Sequence, residues 1–134
     1  MCYPRKIVYF FVLAFIVLLD ITTKAIAHKY FDHAIVLNDN IAFSVDLSGL
    51  ELTLTILVTI ILVYLLISNK LPSKYGIPIS MIIGGGIGNV VDRLADGYIS
   101  DFIHFGQFPV FNTSDIFISV GIAIVLYRTL VKND

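Results

Sequence analysis

Four long stretches of apolar residues dominate the sequence and restrict the folds that it can adopt. They cover about residues 7–27, 50–67, 75–91 and 113–131. A helix needs about 20 mostly apolar residues to cross the roughly 30 Å hydrocarbon core of a bilayer. The third stretch is short and glycine-rich and ends in polar residues, so its boundary is the least defined. The sequence therefore predicts an all-α integral membrane protein with four transmembrane helices.

The composition agrees with this class and excludes several others. Of the 134 residues, 57% are hydrophobic and 14% are charged, whereas a soluble domain has about 45–50% apolar and about 25% charged residues. A net charge of -1 argues against a nucleic-acid partner, which needs a basic patch. The single cysteine, Cys2, excludes an internal disulfide and a Cys-based metal motif. The length predicts one domain over residues 1–134.

Lysine and arginine residues mark one side of the predicted membrane protein. With four spans, both termini and the loop at residues 68–75 share a side, and that side carries these cations: Arg5, Lys6, Lys70, Lys74, Arg128 and Lys132. Because loops rich in Lys and Arg stay in the cytoplasm, we expect both termini to be cytoplasmic. The acidic residues lie almost entirely toward the other side, which predicts that polar chemistry gathers near the outer membrane surface.

Residues 1–27 have a second interpretation as a cleaved signal peptide. The basic start, the apolar run at residues 7–19 and the small residues before position 28 fit that pattern. Asp20 and Lys24 interrupt the end of the apolar run, which favours the transmembrane interpretation.

Asp20 and Lys24 are four residues apart, so they share one face of a helix. A charged residue in a membrane segment costs about 2.5–3.5 kcal/mol on insertion scales, and a pair inside the bundle would offset part of that cost. Alternatively, Lys24 extends its long side chain to the interface and Asp20 only accompanies it. The local pattern leaves both interpretations open.

The third segment ends in the run Gly84-Gly85-Gly86-Ile87-Gly88-Asn89-Val90-Val91-Asp92-Arg93. The run lacks the Lys-Ser/Thr pair of a phosphate-binding loop, and its glycines form a small-xxx-small face that lets another helix approach. Asn89, Asp92 and Arg93 have helical spacing that clusters them on one face. There Asn89 and Arg93 could donate to a carboxylate. The alternative is a helix end with an internal ion pair.

Two further motifs that contain an aspartate follow this segment. The alternation across residues 97–103 predicts a short extended strand that carries Asp101. Asn112 precedes the last segment with Asp115 three residues later, which is typical of a capping box and by itself favours a structural role. The spacing of the histidines makes none of them a metal ligand: His28, His33 and His104.

Taken in order, these motifs closely resemble those of the lipoprotein signal peptidase (signal peptidase II) family. The matching motifs are Asp20-x-x-x-Lys24, Asn38-x-x-x-Ala42-Phe43, Gly88-Asn89-x-x-Asp92-Arg93, Gly97-x-x-x-Asp101-Phe102 and Phe111-Asn112-x-x-Asp115. Each motif is weak alone, but five in one order on four predicted spans are specific. The resemblance extends from Asp20 to about Gly121.

The resemblance implies a bacterial aspartic endopeptidase that uses no metal and no cofactor. Family members cleave prolipoproteins before a diacylglyceryl-modified cysteine, so the implied partners are a lipidated prolipoprotein and membrane lipid. The implied catalytic residues are Asp101 and Asp115, one activating water as a base while the other donates a proton to the scissile carbonyl. The implied supporting residues are Asp20, Lys24, Asn38, Asn89, Arg93 and Asn112, and Asp92 looks structural.

The same resemblance implies a location. The enzyme would be a multi-pass protein of the bacterial cytoplasmic (inner) membrane, with its active site near the extracytoplasmic face. The lipid chains of the substrate could then stay in the bilayer. The sequence assigns no oligomeric state.

The chain departs from the family pattern at one motif. Members usually have Asn-x-Gly-Ala-Ala-Phe where this chain has Asn38-Asp39-Asn40-Ile41-Ala42-Phe43. Asn tolerates the left-handed conformation better than most residues, so we expect Asn40 to have a positive φ. The stretch from Lys24 to Asn38 is also shorter than in typical members, which predicts a reduced extracytoplasmic β element.

The alternative class is a non-enzymatic membrane protein, such as an ion or proton pathway. Such a pathway needs polar groups through the membrane depth, whereas the second span is apolar throughout. A third interpretation is an inactive family member that acts as a binding partner. The presence of both Asp101 and Asp115 argues against it.

Overall fold

The computed structural model describes residues 3–38 and 50–131 and is mostly helical. Its helices are α1 (Tyr3–Phe31), α2 (Leu50–Ile67), α3 (Gly76–Asp96) and α4 (Thr113–Leu130). Single 3-10 turns follow α1 at Asp32–Ala34 and precede α3 at Ser73–Tyr75.

α1 extends beyond its predicted bounds at both ends, and α3 continues past residue 91 to Asp96. It ends there because Gly97 adopts a φ of 84° and its N–H donates to the carbonyl oxygen of Arg93. A glycine in the left-handed conformation is a common helix end, since it has no Cβ to clash. The strand predicted over residues 97–103 consequently begins only at Ile99.

Three of the helices are long and apolar enough to cross a bilayer. These spans are Arg5–Ala34, Leu50–Ile67 and Thr113–Leu130. α3 has 21 residues, which gives a length of about 30 Å, but its glycines and polar residues make it less apolar. The prediction of four transmembrane helices is thus confirmed in part, for α1, α2 and α4.

Side-chain burial is the reverse of that in a soluble domain. Large apolar side chains such as Phe10, Phe15 and Leu130 are 60–78% exposed, whereas Asp20 and Lys24 are 0% and 4% exposed. The buried apolar side chains in the described ranges are few: Ile16, Ala27, Ile79, Ile83 and Ile99. An apolar exterior around a polar interior suits contact with lipid, where every buried polar group needs an internal partner.

α3 lies at the centre of the bundle and packs against α1, α2 and α4. Two of its glycines face α1. A Cβ at Gly84 would lie 3.0 Å from the Cβ of Ile16, and a Cβ at Gly88 would lie 2.5 Å from Oδ2 of Asp20. The small-residue face predicted for Gly84 and Gly88 is therefore confirmed as a close helix contact.

Gly85→Ala is expected to destabilise the protein more than Gly86→Ala. A Cβ at Gly85 would lie 2.6 Å from the backbone oxygen of Ser114, so α4 itself has to move. At Gly86 the nearest atom would be Oγ1 of Thr59 at 3.0 Å, on a side chain that can rotate. Overpacking that shifts backbone costs about 1–3 kcal/mol, whereas both changes give the same gain in helix propensity. Thermal unfolding in detergent measures the difference, and equal midpoints would contradict it.

A two-stranded antiparallel sheet lies beside the carboxyl-terminal end of α3. Strand β1 (Val36–Asn38) pairs with strand β2 (Ile99–Asp101), and Val36 lies opposite Asp101. The sheet confirms the predicted small β element and the strand that carries Asp101.

The chain after β2 leaves the sheet and returns to it before α4. Ile103 and Phe111 form an isolated antiparallel bridge. This bridge closes the loop between β2 and α4 and places the start of α4 beside the end of β2. The positive φ predicted for Asn40, and the departure at Ile41, lie outside the described residues.

Candidate active site

Asp101 and Asp115 are both held at the junction of the sheet and α4. Asp101 is the last residue of β2 and is 3% exposed, and Asp115 is the third residue of α4 and is half-buried. The bridge between Ile103 and Phe111 returns the chain to β2 immediately before α4. A strand end and a helix start, each predicted from the sequence, are thereby brought together.

Asn112 connects the two aspartates. Its Oδ1 accepts a hydrogen bond from the backbone N–H of Asp115 at 3.0 Å, and its own N–H donates to Oδ2 of Asp115 at 3.1 Å, which completes the predicted capping box. Its Nδ2 also donates to Oδ1 of Asp101 at 2.8 Å. The capping box therefore fixes the start of α4 and at the same time joins the two carboxyl groups.

Asn89 adds a second amide to this connection from α3. Its Nδ2 donates to Oδ1 of Asp115 at 3.2 Å, and its Oδ1 accepts from Nδ2 of Asn112 at 3.2 Å. Asn89 is 7% exposed and Asn112 is fully buried. Two neutral amides that bond to each other thus hold one oxygen of each aspartate.

Lys24 provides a buried positive charge next to Asn89. Its Nζ lies 2.6 Å from Oδ2 of Asp20 and 2.9 Å from Oδ2 of Asp92, and it donates to Oδ1 of Asn89 at 3.4 Å. Lys24 therefore points into the bundle, and the alternative in which it extends to the interface is wrong. Each of these two carboxylates therefore has the buried ammonium within 3 Å.

Asp20 and Asp92 each connect Lys24 to a backbone group beside the aspartates. Oδ1 of Asp20 accepts from the N–H of Ser114 at 2.8 Å, in the first turn of α4, where a helix dipole favours negative charge. Oδ2 of Asp92 accepts from the N–H of Ser100 at 3.1 Å, on the strand residue before Asp101. Lys24 on α1 consequently fixes both elements that carry the candidate catalytic residues.

Arg93 contacts a different helix from Asn89 and Asp92. Asn89 and Asp92 contact Lys24 on α1, whereas NH1 of Arg93 donates to Oγ1 of Thr55 on α2 at 3.5 Å. The role of Arg93 as a supporting residue stays a prediction.

Asn38 is placed only by its backbone, which pairs with Ile99 in the sheet.

Glu51, in the first turn of α2, is a buried acidic residue that is 5% exposed. None of the sequence motifs includes it.

His28 is a further polar residue near the site. Its Nε2 lies 2.9 Å from Oγ of Ser100, and its Nδ1 lies 3.2 Å from Oδ1 of Asp32. No role for His28 was predicted from the sequence, although it follows Lys24 by four residues and precedes Asp32 by four, a spacing that places side chains on one side of a helix. That spacing could have identified His28 from the sequence. Its contact with Ser100 joins residues 72 positions apart, so no local pattern reveals it.

The chemistry of the site is that of carboxyl groups held by amides. Two carboxyl groups oriented by neutral donors can divide the roles of general acid and general base between them. Within residues 3–38 and 50–131, no three His, Cys, Asp or Glu side chains lie together as a metal site would require.

Comparison with known proteins gives one consistent family. The family model for signal peptidase (SPase) II matches residues 12–131. The lipoprotein signal peptidase of Caldanaerobacter subterraneus subsp. tengcongensis is 37% identical over 91% of this chain and 95% of its own length. That of Caldicellulosiruptor bescii is 36% identical, over 92% and 91%. That of Francisella tularensis subsp. novicida is 29% identical, over 93% and 92%.

Two solved structures described as bacterial membrane enzymes share the fold. One superimposes with a TM-score of 0.78 at 26% identity and covers 94% of each chain. The other has a TM-score of 0.72 at 24% identity and covers 95% of this chain and 92% of its own. The helical bundle with its small sheet is therefore the architecture of known membrane enzymes.

Proposed function

The chain belongs to the signal peptidase II family and is a peptidase that removes signal peptides from prolipoproteins, and we propose that Asp101 and Asp115 are its catalytic pair. The observation that supports this pairing most strongly is the bridge between them. Asn112 donates to Asp101 at 2.8 Å, Asn89 donates to Asp115 at 3.2 Å, and the two amides bond to each other. The alternative of a non-enzymatic ion pathway is not favoured.

The proposed reaction is aspartic hydrolysis of a peptide bond. One carboxylate takes a proton from a water molecule as that water attacks the scissile carbonyl carbon. The other carboxyl group, protonated, donates to the carbonyl oxygen as negative charge develops there. Two carboxyl groups that share one proton can exchange these roles when the C–N bond breaks and the amine leaves with a proton.

We assign the surrounding polar residues to positioning. Asn89 and Asn112 orient the carboxyl groups through direct hydrogen bonds, and Lys24 fixes the backbone on both sides through Asp20 and Asp92. The remaining family positions, Asn38 and Arg93, are proposed to hold the substrate backbone.

The enzyme is membrane-embedded and bacterial, and we propose that α3 is its fourth transmembrane helix. α3 is long enough to span, and its packing against three apolar helices shields its polar residues from lipid. In this arrangement both termini are cytoplasmic, and the site at the outer ends of α3 and α4 lies near the extracytoplasmic face. The acyl chains of a diacylglyceryl cysteine could then remain in the bilayer while the peptide reaches the aspartates.

Reporter fusions are expected to confirm this topology. Fusions after Lys70 and after Asp134 should report a cytoplasmic location, and fusions near His33 and Gln107 should report the outside. The distribution of Lys and Arg is the physical reason. A fusion after Asp134 that reports outside would contradict the arrangement and would place the two aspartates on the cytoplasmic side.

Cleavage by the purified protein tests the activity. A diacylglyceryl-modified prolipoprotein is expected to lose its signal peptide at the same rate with and without EDTA, because the carboxyl groups activate water without a metal. The same prolipoprotein without its lipid is the matched control and should stay largely uncut. Loss of cleavage in EDTA would contradict the aspartic mechanism.

A further inference from the structure

The end of the bundle opposite the aspartates contains a cavity of about 250 Å³. It lies between the start of α1 and the connection from α2 to α3. Its walls combine two cations with apolar and aromatic side chains, and the main lining residues are Arg5, Lys6, Tyr9, Leu66, Leu71 and Ser73.

Specific contacts hold this cavity in place. Nζ of Lys6 donates to the backbone oxygen of Ile67 at 2.9 Å, and the hydroxyl of Tyr9 donates to the backbone oxygen of Ser73 at 3.2 Å. The ring of Tyr9 fits closely over Gly76, where any Cβ would collide with it. The walls are therefore built by side chains from α1 that bind the ends of α2 and the α2–α3 connection.

Among the described residues, the cavity lies in a region rich in positive charge. In the part of the chain that the structure describes, none of the cations at this end is paired with a carboxylate: Arg5, Lys6, Lys70, Lys74 and Arg128. Lys70 donates to the hydroxyl of Tyr64 and Lys74 to the backbone oxygen of Arg128. The side chain of Arg5 has no hydrogen-bond partner among the described residues, and it lines the cavity.

The apolar surroundings indicate which kind of anion fits. Leu66 and Leu71 form the apolar part of the cavity wall, and α1 and α2 carry further exposed apolar side chains at the same end, namely Ile7, Phe10 and Ile67, which are 53–66% exposed. A small soluble anion would gain nothing from these side chains, whereas acyl chains attached to an anionic group would pack along them. The guanidinium of Arg5 can bind two phosphate oxygens at once.

We propose that this cavity binds the phosphate head group of an anionic phospholipid. Arg5 contacts the phosphate, Lys6 adds positive charge beside it, and the acyl chains lie along α1 and α2. Basic pockets between transmembrane helices bind anionic head groups in this way. The site is separate from the aspartates, so the proposal does not depend on the peptidase mechanism.

Native mass spectrometry of the purified protein in detergent tests the proposal. Phosphatidylglycerol is expected to form a one-to-one adduct at lower concentrations than phosphatidylcholine, and inorganic phosphate is expected to form none. Arg5→Gln should weaken phosphatidylglycerol binding about fivefold, which corresponds to about 1 kcal/mol for one cation near the membrane surface. Lys70→Gln is the matched control, because it removes a charge at the same end but outside the cavity.

Three results would overturn the proposal. Equal weakening by Arg5→Gln and Lys70→Gln would mean that the whole basic end attracts anions without a site. Equal binding of the two lipids would remove the role of charge, and an adduct with inorganic phosphate alone would identify a soluble anion as the ligand. If Arg5→Gln fails to insert into the membrane, Arg5→Lys serves as the second variant. It keeps the charge but cannot bind two phosphate oxygens at once, and it must still weaken phosphatidylglycerol binding.

Discussion

Asp101→Asn and Asp115→Asn are each expected to reduce cleavage of a lipidated prolipoprotein by about 10²–10⁴-fold or more, the range attributed to general acid–base catalysis. Asparagine has nearly the same shape, and in Asp101→Asn its Oδ1 can still accept the hydrogen bond from Nδ2 of Asn112. In Asp115→Asn the single amide oxygen can accept from Nδ2 of Asn89 or from the backbone N–H of Asn112, but not from both, so one bond worth about 0.5–1.5 kcal/mol is lost. Both variants should still insert and fold, and the main effect should be the loss of proton transfer. Single-turnover cleavage rates, with thermal unfolding as a check on folding, provide the measurement.

Asp96→Asn is the matched control for both variants. Asp96 is an exposed residue at the end of α3, at the same end of the bundle, and the substitution removes the same charge. Its cleavage rate should stay close to that of the wild type. A near-normal rate in either Asp101→Asn or Asp115→Asn would show that the pair has been assigned wrongly.

The sequence predicted the elements that carry the two aspartates because the signals there are local. Alternating residues identified the strand of Asp101, and the Asn112 and Asp115 pattern identified the start of α4. The capping-box pattern alone favoured a structural role for Asp115. The structure shows that the same Asn112 side chain also reaches Asp101, and a contact between a strand and a helix cannot be read from either local pattern.

The sequence was less informative where α3 meets several neighbours. Spacing placed Asn89 and Arg93 on one side of the helix but did not show their partners, which are Lys24 on α1 for Asn89 and Thr55 on α2 for Arg93. The hydropathy of α3 is also lower than that of the other three helices, because its glycines contribute little apolar surface. Which side of a central helix meets which partner depends on the packing of the whole bundle.

Local spacing also identified only one of the two acidic partners of Lys24. Spacing identified Asp20 as a partner for Lys24, whereas Asp92 is 68 positions away and its contact at 2.9 Å is visible only in the structure. Lys24 therefore stabilises two carboxylates, and its removal leaves both without a cation.

Lys24→Met is expected to destabilise the protein by about 3–5 kcal/mol, the cost of breaking a buried ion pair from one side. Methionine preserves much of the side-chain length, but Asp20 is fully buried and loses the ammonium 2.6 Å away. The midpoint of thermal unfolding in detergent should fall by roughly 10 °C or more. Cleavage should also fall, because Asp20 and Asp92 hold the backbone at Ser114 and Ser100 beside the aspartates.

Two further variants separate this effect from a general loss of positive charge. Lys29→Met changes an exposed lysine on the same helix, which lies over the ring of Tyr30 at 5.2 Å, and it should shift stability by no more than about 0.5 kcal/mol. Lys24→Met combined with Asp92→Asn removes one of the two unpaired carboxylates, so it should be more stable than Lys24→Met alone. Equal unfolding midpoints for Lys24→Met and Lys29→Met would contradict the role of the buried pair. A double variant less stable than Lys24→Met would instead mean that Asp92 stabilises β2 chiefly through its bond to the N–H of Ser100.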